Sequence, residues 1–252
     1  MMEQRELWIR STVDGSLQPS LFFKSASPEP RPLLVGLHTW SLGRSNQVKQ
    51  MRPWAEKLDF NLLLPEFRGG SLESNPRCRE ACGSRMARQD IVDAMDHVIR
   101  EENVDGDNVF LLGLSGGGHM TLMMCGLCPE RFRAAAAFVP ITDLEKWAQQ
   151  NENYRPHVLA CCGGSAEEMS ERSPMSYVDT IAKANLKIFH GKYDPVVPVS
   201  HSLELYGALM ERYPGSRVFL DIFDGGHEID MEQAMYWLLS QYEGKKLGEV
   251  TG

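Results

Sequence analysis

No apolar run in the sequence approaches the roughly 18–20 residues that cross a bilayer. The N-terminus, MMEQRELWIR, lacks the basic-then-apolar order of a signal peptide. Basic excess is missing too: 26 Lys and Arg face 34 Asp and Glu, a net charge of −8. The densest basic stretch, Arg77 to Arg88, is diluted by Glu80, so no stripe suits a nucleic-acid backbone. No internal repeat with a period of roughly 20–50 residues occurs, which argues against a β-propeller. Six cysteines in 252 residues are too few for a disulfide framework. The Cys125-x-x-Cys128 pair sits inside an apolar helical run, whereas a redox pair opens a helix, where its thiolate is stabilised. Cys78/Cys82 and Cys161/Cys162 have no histidines at zinc-ligand spacing. All six therefore read as free thiols. These absences lead to the expectation of a cytoplasmic protein with no nucleic-acid or membrane partner; oligomeric state is not readable.

What is present is ordinary globular composition, 42% hydrophobic and 24% charged. The length suits one α/β domain over residues 1–252. Strand-like runs at 6–10 and 21–24 flank Asp14-Gly15, a turn signal, and predict an antiparallel hairpin within residues 1–30. Further runs at 33–38, 61–65, 109–114, 134–139, 186–190 and 218–223 are mostly apolar throughout, as strands covered on both faces are. Helical patterns at 47–58, 90–102, 116–127, 200–213 and 229–242 fall between them. The alternation predicts an α/β fold, a mostly parallel central sheet with helices on both faces. Two segments break the rhythm: 68–88, and 142–176, which is expected to form a cap-like insertion.

The sharpest chemical signal is Gly113-Leu114-Ser115-Gly116-Gly117, following an apolar strand and opening an apolar helix. A nucleophile elbow needs that context: the serine takes a strained conformation at a sharp turn, and small neighbours leave room. The Gly116 N–H then faces a developing oxyanion. A serine needs a base, and the base an orienting carboxylate. Asp194 follows one strand, in His190-Gly191-Lys192-Tyr193-Asp194, and His227 follows the last, in Asp224-Gly225-Gly226-His227. Asp143 and Asp224 are rivals for the carboxylate. Ser115, Asp194 and His227 all lie just past strand C-termini, where open α/β sheets place their sites.

Several segments together resemble the α/β-hydrolase superfamily, nearest to prolyl-oligopeptidase-like catalytic domains and to dienelactone hydrolase and acetyl xylan esterase-like esterases. They are Pro65-Glu66-Phe67-Arg68-Gly69, Asp90-Ile91-Val92-Asp93-Ala94, residues 113–118, Arg172-Ser173-Pro174, residues 190–198 and Gly226-His227. The resemblance spans Pro32 to Leu239. It implies Ser115 as nucleophile, His227 as general base and Asp194 as its orienter, with no metal or organic cofactor. It also implies a second oxyanion donor in the turn His38-Thr39-Trp40, where relatives read His-Gly-x: Trp40 N–H first, Thr39 N–H as the alternative. Thr39, Arg68 and Trp147, with Phe67, Tyr154 and His157, are candidates to line a substrate pocket; for Arg68 the alternative is a structural ion pair. About 30 residues precede the hydrolase pattern, too few for a gating propeller. Small carboxylic esters are therefore the expected substrates, peptides or aminoacyl amides the second choice, and a non-catalytic binding protein the rival.

Overall fold

The computed structural model describes residues 2–242; the ends of the expected 1–252 domain lie outside the described residues. One eight-stranded sheet is built from β1 (Glu3–Arg10), β2 (Leu17–Lys24), β3 (Arg31–Leu37), β4 (Asn61–Pro65), β5 (Val104–Leu114), β6 (Ala134–Phe138), β7 (Leu186–Gly191) and β8 (Val218–Phe223). Their order is β1-β2-β4-β3-β5-β6-β7-β8. β1 and β2 form the antiparallel hairpin, β2 runs antiparallel to β4, and every later pairing is parallel. At the hairpin tip, the Ser16 N–H and hydroxyl both donate to Asp14 Oδ1, at 3.0 and 2.7 Å.

The apolar strands serve two cores. In β5, Val109 and Leu111 face one core while Phe110 and Leu112 face the other. Helices α1 (Val48–Leu58) and α9 (Met231–Ser240) cover the second of these; α2 (Arg85–Glu101), α3 (Gly116–Leu127), α7 (Val178–Ile181) and α8 (Ser200–Arg212) cover the first. Between α3 and α7 lie three short helices, α4 (Leu144–Gln150), α5 (Arg155–Cys162) and α6 (Ala166–Glu171). They build a third apolar cluster, in which Trp147, Val158 and Cys161 pack with Trp40 of the turn after β3.

Some boundaries differ from the sequence reading. β2 starts at Leu17 despite Pro19, because the β4 ladder begins only at Ser20 and Pro19 pairs with β1 alone. β5 starts at Val104, but its register with β3 jumps from Asp105 to Val109, which is why only the regular part was legible. α2 starts at Arg85, capped by Ser84 Oγ, which accepts from Ala87 N–H at 3.1 Å. Its polar first turn hid it from a periodicity reading.

Candidate active site

Ser115 stands between β5 and α3 with φ 57° and ψ −116°, a backbone region that costs a non-glycine residue energy. The strain is held by neighbours: Ser115 N–H donates to Phe138 O of β6 at 2.9 Å, and its carbonyl accepts from His119 N–H at 2.8 Å. Gly113 is required, since a Cβ there would meet Gly117 O at 2.1 Å. The elbow therefore presents Ser115 at the C-terminal edge of the sheet, only 8% exposed.

Two and three strands away, Asp194 lies in the loop after β7 and His227 in the loop after β8. His227 Nδ1 is 2.7 Å from Asp194 Oδ2. Asp194 Oδ1 accepts from the N–H groups of Val196 and Val197, at 2.8 and 2.9 Å. Burial pushes the Asp194 carboxyl up, but the His227 bond and these two backbone donors outweigh it, and the group is held below its ordinary value. It is thus a permanent anion facing the imidazole. The two loops are tied together by Lys192 N–H to Phe223 O and Tyr193 N–H to Gly225 O, both 2.9 Å. Behind Asp194, His190 is fully buried, with Nδ1 2.7 Å from Ser202 Oγ and Nε2 2.8 Å from Val197 O. Burial lowers its pKa, so the ring is neutral. Neither rival carboxylate takes this place: Asp143 caps α4, accepting from Lys146 N–H at 3.0 Å. His227 and Asp194 are brought together, whereas the Ser115 hydroxyl has no hydrogen bond to His227 among the described residues.

The Gly116 backbone lies close against that of Trp40. A Cβ on Gly116 would lie 2.3 Å from Trp40 N and 2.5 Å from its Cα. Thr39 N–H is occupied, donating to Asn46 Oδ1 at 3.1 Å. Gly116 N–H is in the first turn of α3, where no intrahelical acceptor exists. Trp40 is fixed from both sides: Ser71 N–H donates to its carbonyl at 2.6 Å, and its ring meets Trp147 edge-on at 4.9 Å.

The pocket candidates separate by burial. Arg68 is not available to a substrate. Its side chain is 0% exposed, and it bonds Asp14 at 2.7 Å, Glu80 at 2.9 Å, Ser11 Oγ at 3.0 Å and also Asp90. Burial works against its charge, yet Asp14, Asp90 and Glu80 hold it protonated. Trp147 is likewise wholly buried; its Nε1–H donates to Val196 O at 2.9 Å, supporting the Asp194 loop. Phe67 is stacked on His38 at 3.8 Å. Thr39 and Tyr154 remain half-buried near Trp40, and His157 Nδ1 accepts from Glu73 N–H at 3.3 Å.

Sequence reading missed Asn46, Ser71, Asn151 and the Val196–Val197 amides. Asn151 Nδ2–H donates to Val196 O at 2.9 Å, beside Trp147. Only the amides carried a local signal, a carboxylate two and three residues before its donors. Ser71 and Asn151 act across loops far apart in sequence, and Asn46 reaches back seven residues without a motif to mark it.

The profile of the prolyl oligopeptidase family matches residues 46–243. An acylamino-acid-releasing enzyme of Oryza sativa is 27% identical over 249 residues, covering 88% of this chain and 31% of its own length. The Homo sapiens acylamino-acid-releasing enzyme is 29% identical over 178 residues, covering 65% and 24%. The chain thus spans under a third of the length of these relatives. Among solved structures, an acylaminoacyl peptidase from Pyrococcus horikoshii superposes with a TM-score of 0.76 at 20% identity, covering all of this chain and 44% of that one. Acetyl xylan esterase 1 from Thermoanaerobacterium superposes at 0.72 and 19% identity, covering 96% and 84%. These likenesses show the α/β-hydrolase fold. With the family match over most of the described residues, the chain belongs to the prolyl oligopeptidase family.

Proposed function

We propose that the protein is a serine hydrolase of the peptidase kind, cleaving short N-acylated peptides through an acyl-enzyme. The observation that carries the hydrolase reading is the His227–Asp194 pair, 2.7 Å apart, at the same sheet edge as the strained Ser115. In this mechanism Ser115 Oγ attacks the scissile carbonyl and His227 Nε2 takes its proton. Asp194 receives Nδ1–H and stabilises the imidazolium. The Gly116 and Trp40 N–H groups receive the oxyanion, Trp40 rather than Thr39 because Asn46 holds the Thr39 amide. His227 then protonates the leaving amine, and water repeats the sequence on the acyl-enzyme. Closing of the Ser115–His227 bond belongs to the substrate complex, since catalytic bonds often tighten only there.

The choice of amide over ester departs from the sequence reading. That reading rested on the shortness of the chain. Similarity to acylamino-acid-releasing enzymes along 88% of the chain outweighs it. The test is a panel of N-acetylated dipeptides, the same dipeptides with free amines, and acetylated sugars. Release of N-acetyl amino acids, lost in Ser115→Ala, is expected. Turnover of acetylated sugars with no cleavage of any amide would restore the ester reading.

A further inference from the structure

His190 takes no part in the proposed proton transfers, yet both its ring nitrogens are engaged. It is the penultimate residue of β7, and its side chain is 0% exposed. Nε2 lies 2.8 Å from Val197 O. A carbonyl oxygen can only accept, so Nε2 carries the ring proton. Nδ1 is then bare, and the Ser202 hydroxyl, 2.7 Å away, donates to it. Ser202 is itself wholly buried, in the first turn of α8. One tautomer of His190 is therefore fixed from both sides of the ring.

The fixed Nε2–H meets the Asp194 loop beside the carboxylate. Val197, whose carbonyl takes this bond, gives its own N–H to Asp194 Oδ1 at 2.9 Å. The same Nε2 lies 3.5 Å from Asp194 Oδ2, long for a hydrogen bond but close enough for its polarity to act. That oxygen is the one 2.7 Å from His227 Nδ1. The Asp194 side chain is 0% exposed, so water does not readily replace a donor that is lost. Val196, the other amide donor, is anchored separately: its carbonyl accepts from Trp147 Nε1–H and Asn151 Nδ2–H, both at 2.9 Å. Val197 takes its anchor from His190. The neighbouring His201, also wholly buried, faces elsewhere, with Nδ1 3.2 Å from Thr142 Oγ1 and Nε2 3.1 Å from Gln150 Oε1.

We propose that His190, locked by Ser202, is a positioning residue of the catalytic pair: its Nε2–H holds the Val197 peptide and so aims the Asp194 carboxylate at His227. This rests on the serine hydrolase reading. The ring is neutral, as burial dictates, so the carboxylate charge is left for the His227 imidazolium rather than shared with a second cation. A misaimed carboxylate loosens His227 toward Ser115, and a misplacement of about 1 Å near a reacting centre costs up to about a hundredfold. The loss falls on the reaction step, because a wholly buried ring does not touch substrate.

The experiment compares His190→Phe, which keeps a ring but neither bond, with His190→Gln, whose amide N–H can stand in for Nε2–H. Fluorophosphonate labelling of Ser115 is timed in the full chain. The low-field proton resonance of His227 Nδ1–H, identified by its loss in His227→Ala, is followed by NMR. His190→Phe is expected to label roughly tenfold or more slowly and to lose or shift that resonance. His190→Gln should recover most of both. With N-acetylated dipeptides the loss should appear in kcat, with KM unchanged. His201→Gln alters a buried histidine that does not bond the Asp194 loop, and it should keep the wild-type rate and resonance whatever its thermal midpoint. A wild-type rate and an unmoved resonance in His190→Phe overturn the assignment. Equal slowing in His201→Gln also overturns it, since a general loosening of the core would give that, as does a His190→Gln no better than His190→Phe. If His190→Phe fails to fold, Ser202→Ala decides: slowed labelling with a shifted resonance is expected, and wild-type behaviour in both overturns the role. If wild-type Ser115 does not label, the hydrolase reading fails, while the resonance still judges whether His190 places the pair.

Discussion

Gly116 and Trp40 share one small volume, and the proposed oxyanion site depends on that sharing. A methyl group at position 116 would meet Trp40 N at 2.3 Å, backbone that cannot swing away as a long side chain can. Gly116→Ala is therefore expected to fold but to lower kcat by about 10²–10³-fold, the usual cost of a lost oxyanion donor. KM should change far less; a variant with wild-type kcat would remove Trp40 from the site. At this scale the sequence was most legible for Ser115, Asp194 and His227. Each sits in a short motif directly after an apolar strand, so local pattern sufficed. The choice between Thr39 and Trp40 was not legible, because it turns on Asn46, which reaches back from the next 3-10 turn.

At the scale of elements, Arg68 joins the hairpin tip to α2. Its guanidinium bonds Asp14 of the β1–β2 turn, Glu80 of the irregular segment and Asp90 of α2. Asp90 is 1% exposed, so removing the cation leaves a buried carboxylate without its partner. Breaking such a pair costs about 3–5 kcal/mol. Arg68→Met should thus lower the thermal midpoint by roughly ten degrees, at about 2–4 degrees per kcal/mol for a chain of this size. KM should be unchanged, and a raised KM at wild-type stability would return Arg68 to the substrate. Trp147 acts similarly on the acid loop. Trp147→Phe removes the N–H held by Val196 O and should lower kcat several-fold, measured beside Asn151→Ala, which loses the neighbouring bond. The strand and helix order was legible because apolar runs alternate with helical periods. The packing of α4 to α6 on Trp40 was not, since short polar helices leave no periodic stripe.

At the scale of the whole molecule, buried histidines shape the acid response, and His119 and His201 show it most plainly. Burial pushes both His119 and His201 down to about 4, from an ordinary value near 6.5. The unfolded chain therefore takes up these protons first. Their contribution to stability is complete above about pH 6.5 and is lost as pH falls toward 4, at up to roughly 1.4 kcal/mol per unit for each ring. Thermal midpoints should fall steadily between pH 6.5 and 4, and His201→Gln should flatten the fall; a flat wild-type profile would contradict this burial argument. The carboxylate of Asp14, held well below its usual range chiefly by Arg68, acts only at lower pH. Across the molecule, the sheet brings Ser115, Asp194 and His227 to one edge from three separate strands, β5, β7 and β8. The account stands on that convergence being catalytic. Its most direct test is the intact mass of the chain after incubation with a fluorophosphonate at neutral pH, followed by peptide mapping. One adduct on Ser115, absent in Ser115→Ala and formed far more slowly in His227→Ala, is the result predicted. No adduct, or an adduct on another residue, would contradict it.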